Sequence, residues 1–414
     1  MKSSECDINR KVLLLSIVPD GRDLKYVISE DTRMADMLDY IEWRGDLTFR
    51  EREFNDVDNL ILSLLAYSDF KGIISMDEGS PPISIAELYS KYTEAGKNQS
   101  ELACNPKPVF EKCAKTNRFG NIMVKDYVDI VNQGRQFQFA AMTFQLGDGT
   151  VYAAFRGTDN TLVGWREDLN FSFMEATPAQ LCAAEYLDIV CEKTNDPVRT
   201  GGHSKGGNLA MYAAAFCEDQ NKDRIVRVYS NDGPGFNEII AENENYKNIL
   251  DRVSLAIPEG SPIGILLFNK QDKKVVESTG KNGAAQHNPY TWCINKWGFV
   301  QAEKQSSMSI FLDKTLDEWL SRLTREQKQE FVDTVFDTLE ATGARSFSEL
   351  YSNKRESLSA IIKAARRLHA DQINTVISVI KTFLDAGKDV WLGDQKPKLD
   401  KSKEDKLAMD ELND

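Results

Sequence analysis

Thr200 to Ala214 reads "TGGHSKGGNLAMYAA", and within it Gly202-His203-Ser204-Lys205-Gly206 fits G-x-S-x-G. A serine in this pattern serves as a nucleophile when a strand precedes it and a helix follows, so that a sharp turn lifts its hydroxyl above a sheet. The following stretch, "NLAMYAAAFCED", is rich in Ala, Leu and Met and has no Pro and no β-branched residue, which predicts a helix. Before the turn, "PVRT" allows a brief strand. Small residues two before and two after the serine let helix and strand pack closely and relieve a strained backbone. Gly201, Gly202, Gly206 and Gly207 supply more than that minimum.

A serine nucleophile needs a base, normally histidine, whose pKa lies near working pH. The chain has three histidines, so elimination is informative. His203 adjoins Ser204, and neighbouring side chains diverge on an extended backbone. His369, in "ARRLHADQ", falls in a helical stretch and reads as a solvated surface residue. His287, in "AAQHNPYTW", follows an expected strand and comes last in the order serine, acid, histidine. It is the expected base. The acid should leave the C-terminal end of a strand between the two. Glu259, after "VSLAIP", is expected because its strand is the later one; Asp232, after "VRVYSN", is the alternative, and Ser261 a further one as a hydroxyl or water-mediated partner.

The oxyanion formed on attack needs two backbone N–H groups. One is expected from Lys205, directly after the serine and at a helix N-terminus. The other is expected from "FRGTDNTLVGW", where the strand "TVYAAF" ends and Gly157 permits close approach.

Outward from this centre, strand and helix patterns alternate across residues 137–300, which predicts an α/β sheet with helices on its faces. "FQFAAMTFQLGDGTVYAAFRGT" reads as a hairpin about Gly147-Asp148-Gly149, and Thr177 and Pro178 as the start of a helix. "FNEIIAENENYKNIL" reads as one helix, and residues 77–130 as turns and short helices. Nearer the N-terminus, "DVDNLILSLLAYSDF" reads as a helix capped by Asn55, with Asp56 and Asp58 in its first turn. The expected organisation is an N-terminal hairpin extension over 1–33, an α/β domain over 34–303, a helical C-terminal region over 304–394 and a disordered charged tail over 395–414.

Composition bounds the rest. The 414 residues are 41% hydrophobic and 28% charged, as in ordinary globular proteins, and a net charge of −13 argues against nucleic-acid binding. Seven cysteines, an odd number without C-x-x-C, read as reduced thiols in a cytoplasmic protein. "KVLLLSIVP" near the start lacks a small-residue cleavage site and is not read as a signal peptide, and no apolar run approaches a membrane span. Dispersed histidines and cysteines predict no metal or organic cofactor. The oligomeric state is left open.

"YAAFRGTDNTLVGWREDLNFSF" followed by "TGGHSKGGNLA" resembles the class 3 lipase pattern, an F-R-G-[ST] segment with Trp and Asp downstream and then G-H-S-L-G-G. "DYIEWRGDLTF", "FNDVDNLILSLLAY" and "QHNPYTW" extend the resemblance to an uncharacterised family of bacterial lipase-like α/β-hydrolases, over about residues 34–300. The resemblance implies an α/β-hydrolase fold of class 3 lipase type with a helical C-terminal extension. It implies Ser204 as nucleophile, His287 as base and Thr158 with Lys205 as the oxyanion hole. Leu162 to Trp165 would lie where class 3 lipases carry their lid. Two departures stand out. Ser261-Pro262 replaces the usual Asp-Pro, and Lys205 replaces the usual Leu. The Lys205 cation would either favour an anionic substrate group or lie solvated on the first helical turn. Arg156 and Asp168 are expected to form a structural ion pair. The function implied is hydrolysis of a carboxylic ester or thioester, on a small-molecule or lipid substrate. The alternatives are a lipid- or protein-binding scaffold and an acyltransferase.

Overall fold

The computed structural model describes residues 33–77, 79–94, 104–159 and 161–395. The N-terminal hairpin and the charged tail fall, apart from their border residues, outside the described residues.

Among the described residues, eight strands form one sheet in sequential order: β1 (Ile83–Ser84), β2 (Met123–Asn132), β3 (Phe137–Gln145), β4 (Val151–Phe155), β5 (Val198–His203), β6 (Ile225–Asn231), β7 (Val253–Pro258) and β8 (Lys273–Val276). The pairs from β1 to β4 are antiparallel, and those from β4 to β8 are parallel. The fold is therefore mixed α/β; helices cross between the parallel strands from β4 to β7, and a loop over residues 259–272 joins β7 to β8.

Eight of the helices matter here: α1 (Met37–Arg44), α2 (Asp56–Leu65), α3 (Leu162–Asn170), α4 (Pro178–Glu192), α5 (Lys205–Phe216), α6 (Ser307–Ser321), α7 (Arg325–Glu340) and α8 (Ala370–Gln395). Asn55 caps α2 through the N–H groups of Val57 and Asp58, and Asp58 returns the bond to Asn55. Thr177 caps α4, with Pro178 in its first turn.

Period-two alternation splits the core. Tyr152 and Ala154 of β4 face a cluster with α1 and α2, while Ala153 and Phe155 face a cluster with α4 and α5. A smaller cluster of Leu162, Phe173, Val332 and Phe336 joins α3 to α7. The C-terminal helices are thus packed onto the sheet domain. Arg166 of α3 strengthens the joint, with Nη2 2.6 Å from Asp333 Oδ1 and Nη1 2.8 Å from Asp337 Oδ1.

Two local readings need correction. Most of β2 falls in 77–130, where no strand was expected; a bulge at Asp126, with φ 55°, interrupts its alternation. Residues 236–250 are not one helix, because Asn237 and Asn243 each cap a separate short turn. Within the helical C-terminal region, α6 ends before α7, where Thr324 and Gln327 form a capping box. No helix among the described residues is long and apolar enough to cross a membrane.

Candidate active site

Ser204 joins β5 to α5 with φ 59° and ψ −134°, a backbone conformation costly for any residue but glycine. The flanking glycines make the turn fit. A Cβ on Gly206 would lie 2.1 Å from Phe155 O, and one on Gly202 would lie 2.4 Å from the Gly206 carbonyl carbon. The Ser204 N–H donates to Asn231 O at 2.9 Å, tying the turn to the end of β6.

The Ser204 hydroxyl meets His287, with Oγ 3.0 Å from Nε2. On the ring's other side, His287 Nδ1 lies 2.6 Å from Asp232 Oδ2. The carboxylate fixes the proton on Nδ1, which leaves Nε2 to accept from the serine hydroxyl. Asp232 is fully buried and directly follows β6 in a left-handed conformation, φ 51°. Its carboxylate also accepts from Gly264 N–H at 2.9 Å and from the Ser261 hydroxyl.

The carboxylate that meets His287 is therefore that of Asp232, not the expected Glu259. β6 is the immediate neighbour of β5, and the reversed φ at its exit keeps Asp232 beneath the imidazole. Glu259 leaves β7 one strand further out, where its backbone bridges Val276 O and the Ser306 N–H. Ser261 contributes as a donor to the carboxylate and does not itself touch His287.

His203 is buried and bonds with a different part of the site. Its Nε2–H donates to the His287 backbone carbonyl at 2.9 Å, and its Nδ1 lies 3.1 Å from the Tyr67 hydroxyl. The two imidazoles lie against each other with centroids 4.6 Å apart and planes tilted by 31°. Burial, and then the neighbouring His287, push the His203 pKa well below its ordinary value, so the ring stays neutral and keeps this pattern. Sequence reasoning excluded His203 as the base but missed this supporting contact. His369 is exposed, and its N–H donates to Gln372 Oε1 just before α8.

Lys205 and Thr158 both line the cavity above Ser204. Lys205 opens α5, where the first backbone N–H groups have no acceptor within the helix. Thr158 follows β4, and Gly157 beside it lets the two turns approach: a Cβ there would lie 2.6 Å from His203 O. The Thr158 hydroxyl donates to Asp168 Oδ2 at 2.5 Å. Burial pushes the Asp168 carboxyl up to about 7, against the pull of the Lys205 ammonium.

The Lys205 side chain is not solvated on the first helical turn. It is 1% exposed, and its Nζ lies 2.5 Å from Glu167 Oε2 and 2.9 Å from Gln138 O. The ammonium is held in a buried ion pair. Arg156 pairs with Asp129, at 3.0 and 2.9 Å, rather than with Asp168. Of the two lid residues, Trp165 lines the cavity and meets Phe347 edge-on, but Leu162 turns into the cluster with Val332 and Phe336.

The cavity holds about 450 Å³, within the usual range for small-molecule sites. Ser204 and His287 open into it, and apolar side chains make up most of the wall: Trp165, Leu169 and Leu266 from the sheet domain, Leu316, Trp319 and Phe331 from the C-terminal helices. Among the described residues, no group of His, Cys, Asp and Glu could hold a metal ion.

The model of the Mbeg1-like family matches residues 113–337, more than half of the chain, so the chain belongs to that family. The matched segment carries Ser204, Asp232 and His287. No curated protein matches the chain.

Proposed function

We propose that this member of the Mbeg1-like family is a serine hydrolase that cleaves a carboxylic ester or thioester, built on an α/β-hydrolase fold of class 3 lipase type. The observation that carries the reading is His287 held between Ser204, at 3.0 Å, and Asp232, at 2.6 Å. Serine, acid and histidine in that chain order, with the serine on a strained strand-to-helix turn, suit a nucleophile, its base and the base's orienter.

In the proposed reaction, Ser204 Oγ attacks the carbonyl carbon as its proton passes to His287 Nε2. The carbonyl oxygen, now negative, is met by the N–H groups of Lys205 and Thr158. The imidazolium gives its proton to the leaving alkoxide or thiolate, the C–O or C–S bond breaks, and an acyl-enzyme remains. Water then attacks, its proton passing to His287, and the carboxylic acid leaves as the serine regains its proton. Asp232 stabilises the imidazolium and holds its tautomer throughout.

The apolar wall suits an acyl chain or other lipid-like group. The six described cysteines are unpaired, which suits a reducing compartment such as the cytoplasm. A scaffold role is less well supported, because it gives no reason for a buried carboxylate with three donors under the imidazole. Turnover of p-nitrophenyl esters of graded chain length tests the reading. The Ser204→Ala protein should stay folded and lose turnover; undiminished turnover would refute it.

A further inference from the structure

Resting on that hydrolase reading, we propose that the C-terminal helices supply an anion subsite, Lys328, and that the substrate is an ester bearing a carboxylate or phosphate at the end of an apolar segment.

The charged groups of the cavity are otherwise committed. Lys205 belongs to Glu167, and Asp168 to the Thr158 hydroxyl. Lys328 is the exception. It stands on α7 one turn before Phe331 and Val332, and all three line the cavity that contains Ser204. Positions i, i+3 and i+4 share one helical face, so a cation is presented beside the apolar wall. Among the described residues, no carboxylate lies within ion-pair distance of it; Glu238, whose charge it feels, is exposed and further off. Half-burial pushes its pKa below the ordinary lysine value, a cost that a bound anion would offset.

The rest of the lining favours the same division. Asp159 and Asp168, from the loop after β4 and from α3, also line the cavity. Asp159 repels a second negative charge near Ser204 and leaves Lys328 as the favourable place for it. Leu316, Trp319 and Leu320 of α6 add apolar wall at i, i+3 and i+4. A substrate that fits places its carbonyl at Ser204, an apolar segment along α6 and α7, and its anionic end at Lys328. In this arrangement the C-terminal helices set specificity.

The test uses the full chain and four probes in matched pairs. Mono-p-nitrophenyl suberate is compared with p-nitrophenyl octanoate, and 8-phosphonooxyoctyl acetate with octyl acetate. Lys328→Gln should lower kcat/KM for the anionic member of at least one pair by roughly tenfold to a hundredfold, as loss of a charge-assisted bond does. The neutral members should stay within about twofold, and Lys328→Arg should retain most of the preference. Loss on the suberate places the anion on the acyl side; loss on the phosphate places it on the alcohol side. Equal loss on charged and neutral probes, or none on either anionic probe, overturns the proposal. Binding to the Ser204→Ala protein separates this from the hydrolase reading. Monomethyl suberate or 8-phosphonooxyoctyl acetate should bind it in a Lys328-dependent manner even if no ester is turned over.

Discussion

Replacing Lys205 by Met tests whether that ammonium is structural. The side chain is 1% exposed, and its partner Glu167 is fully buried. Glu167 Oε2 accepts from Lys205 Nζ at 2.5 Å and from Gln138 N–H at 3.1 Å, and Oε1 accepts from Ala179 N–H at 2.9 Å. Met fills the lysine's volume but leaves a carboxylate buried without its cation. Removing one partner of a buried pair costs about 3–5 kcal/mol. Because two backbone N–H groups remain on Glu167, the lower end, about 3 kcal/mol, is expected. Glu167→Gln alone strands the ammonium and should cost a similar amount. The double replacement should cost much less than the two singles added together, with a coupling of at least about 2 kcal/mol. Urea unfolding of the four proteins measures this, with an unchanged m-value showing that the denatured state is comparable. A cost for Lys205→Met below about 1 kcal/mol would refute the reasoning. So would unaltered stability with selective loss of turnover on anionic esters, which would restore Lys205 as a substrate contact.

Other outcomes follow from the same geometry. Asp232→Asn should lower kcat by roughly ten-thousandfold, because an amide can hold the wrong imidazole tautomer, while Glu259→Gln should leave p-nitrophenyl ester turnover within about twofold. Asp168 should shape stability against pH. Its carboxyl is raised from 3.8 to about 7 in the folded chain, so between those values the folded state binds more protons than the unfolded one. The stability this contributes is complete below about 3.8 and is lost as pH rises through about 7. Asp168→Asn, with nothing to titrate, should therefore gain stability relative to the parent between pH 5 and pH 8, by up to a few kcal/mol. A pH-independent difference in urea midpoints would contradict this.

Much of the centre was legible because its signals are local. Four glycines around Ser204, a helix-forming run after it and only three histidines in the chain sufficed to pick out Ser204 and His287. The Asn55 cap and the hairpin of β3 and β4 likewise follow from neighbouring residues. The acid was not legible in the same way. Choosing between Asp232 and Glu259 depends on which strand lies beside β5 and on a left-handed φ at one residue, and both are tertiary properties. The partner of Lys205 lies 38 residues away, and Arg156 finds Asp129 27 residues before it. β2 was hidden by its own bulge, which breaks the alternation that reveals strands. The start of α7 is written locally, as Thr324 followed three residues later by Gln327. That the C-terminal helices wall the cavity follows from the cluster of Leu162 with Val332 and Phe336, which no local pattern announces.

If His287 and Asp232 activate Ser204, fluorophosphonate labelling followed by intact-mass measurement will show it. One adduct per chain is expected, mapped to the peptide containing Ser204, absent from Ser204→Ala and strongly slowed in His287→Ala and Asp232→Asn. An unlabelled parent protein, or labelling of Ser204→Ala at the parental rate, would contradict it.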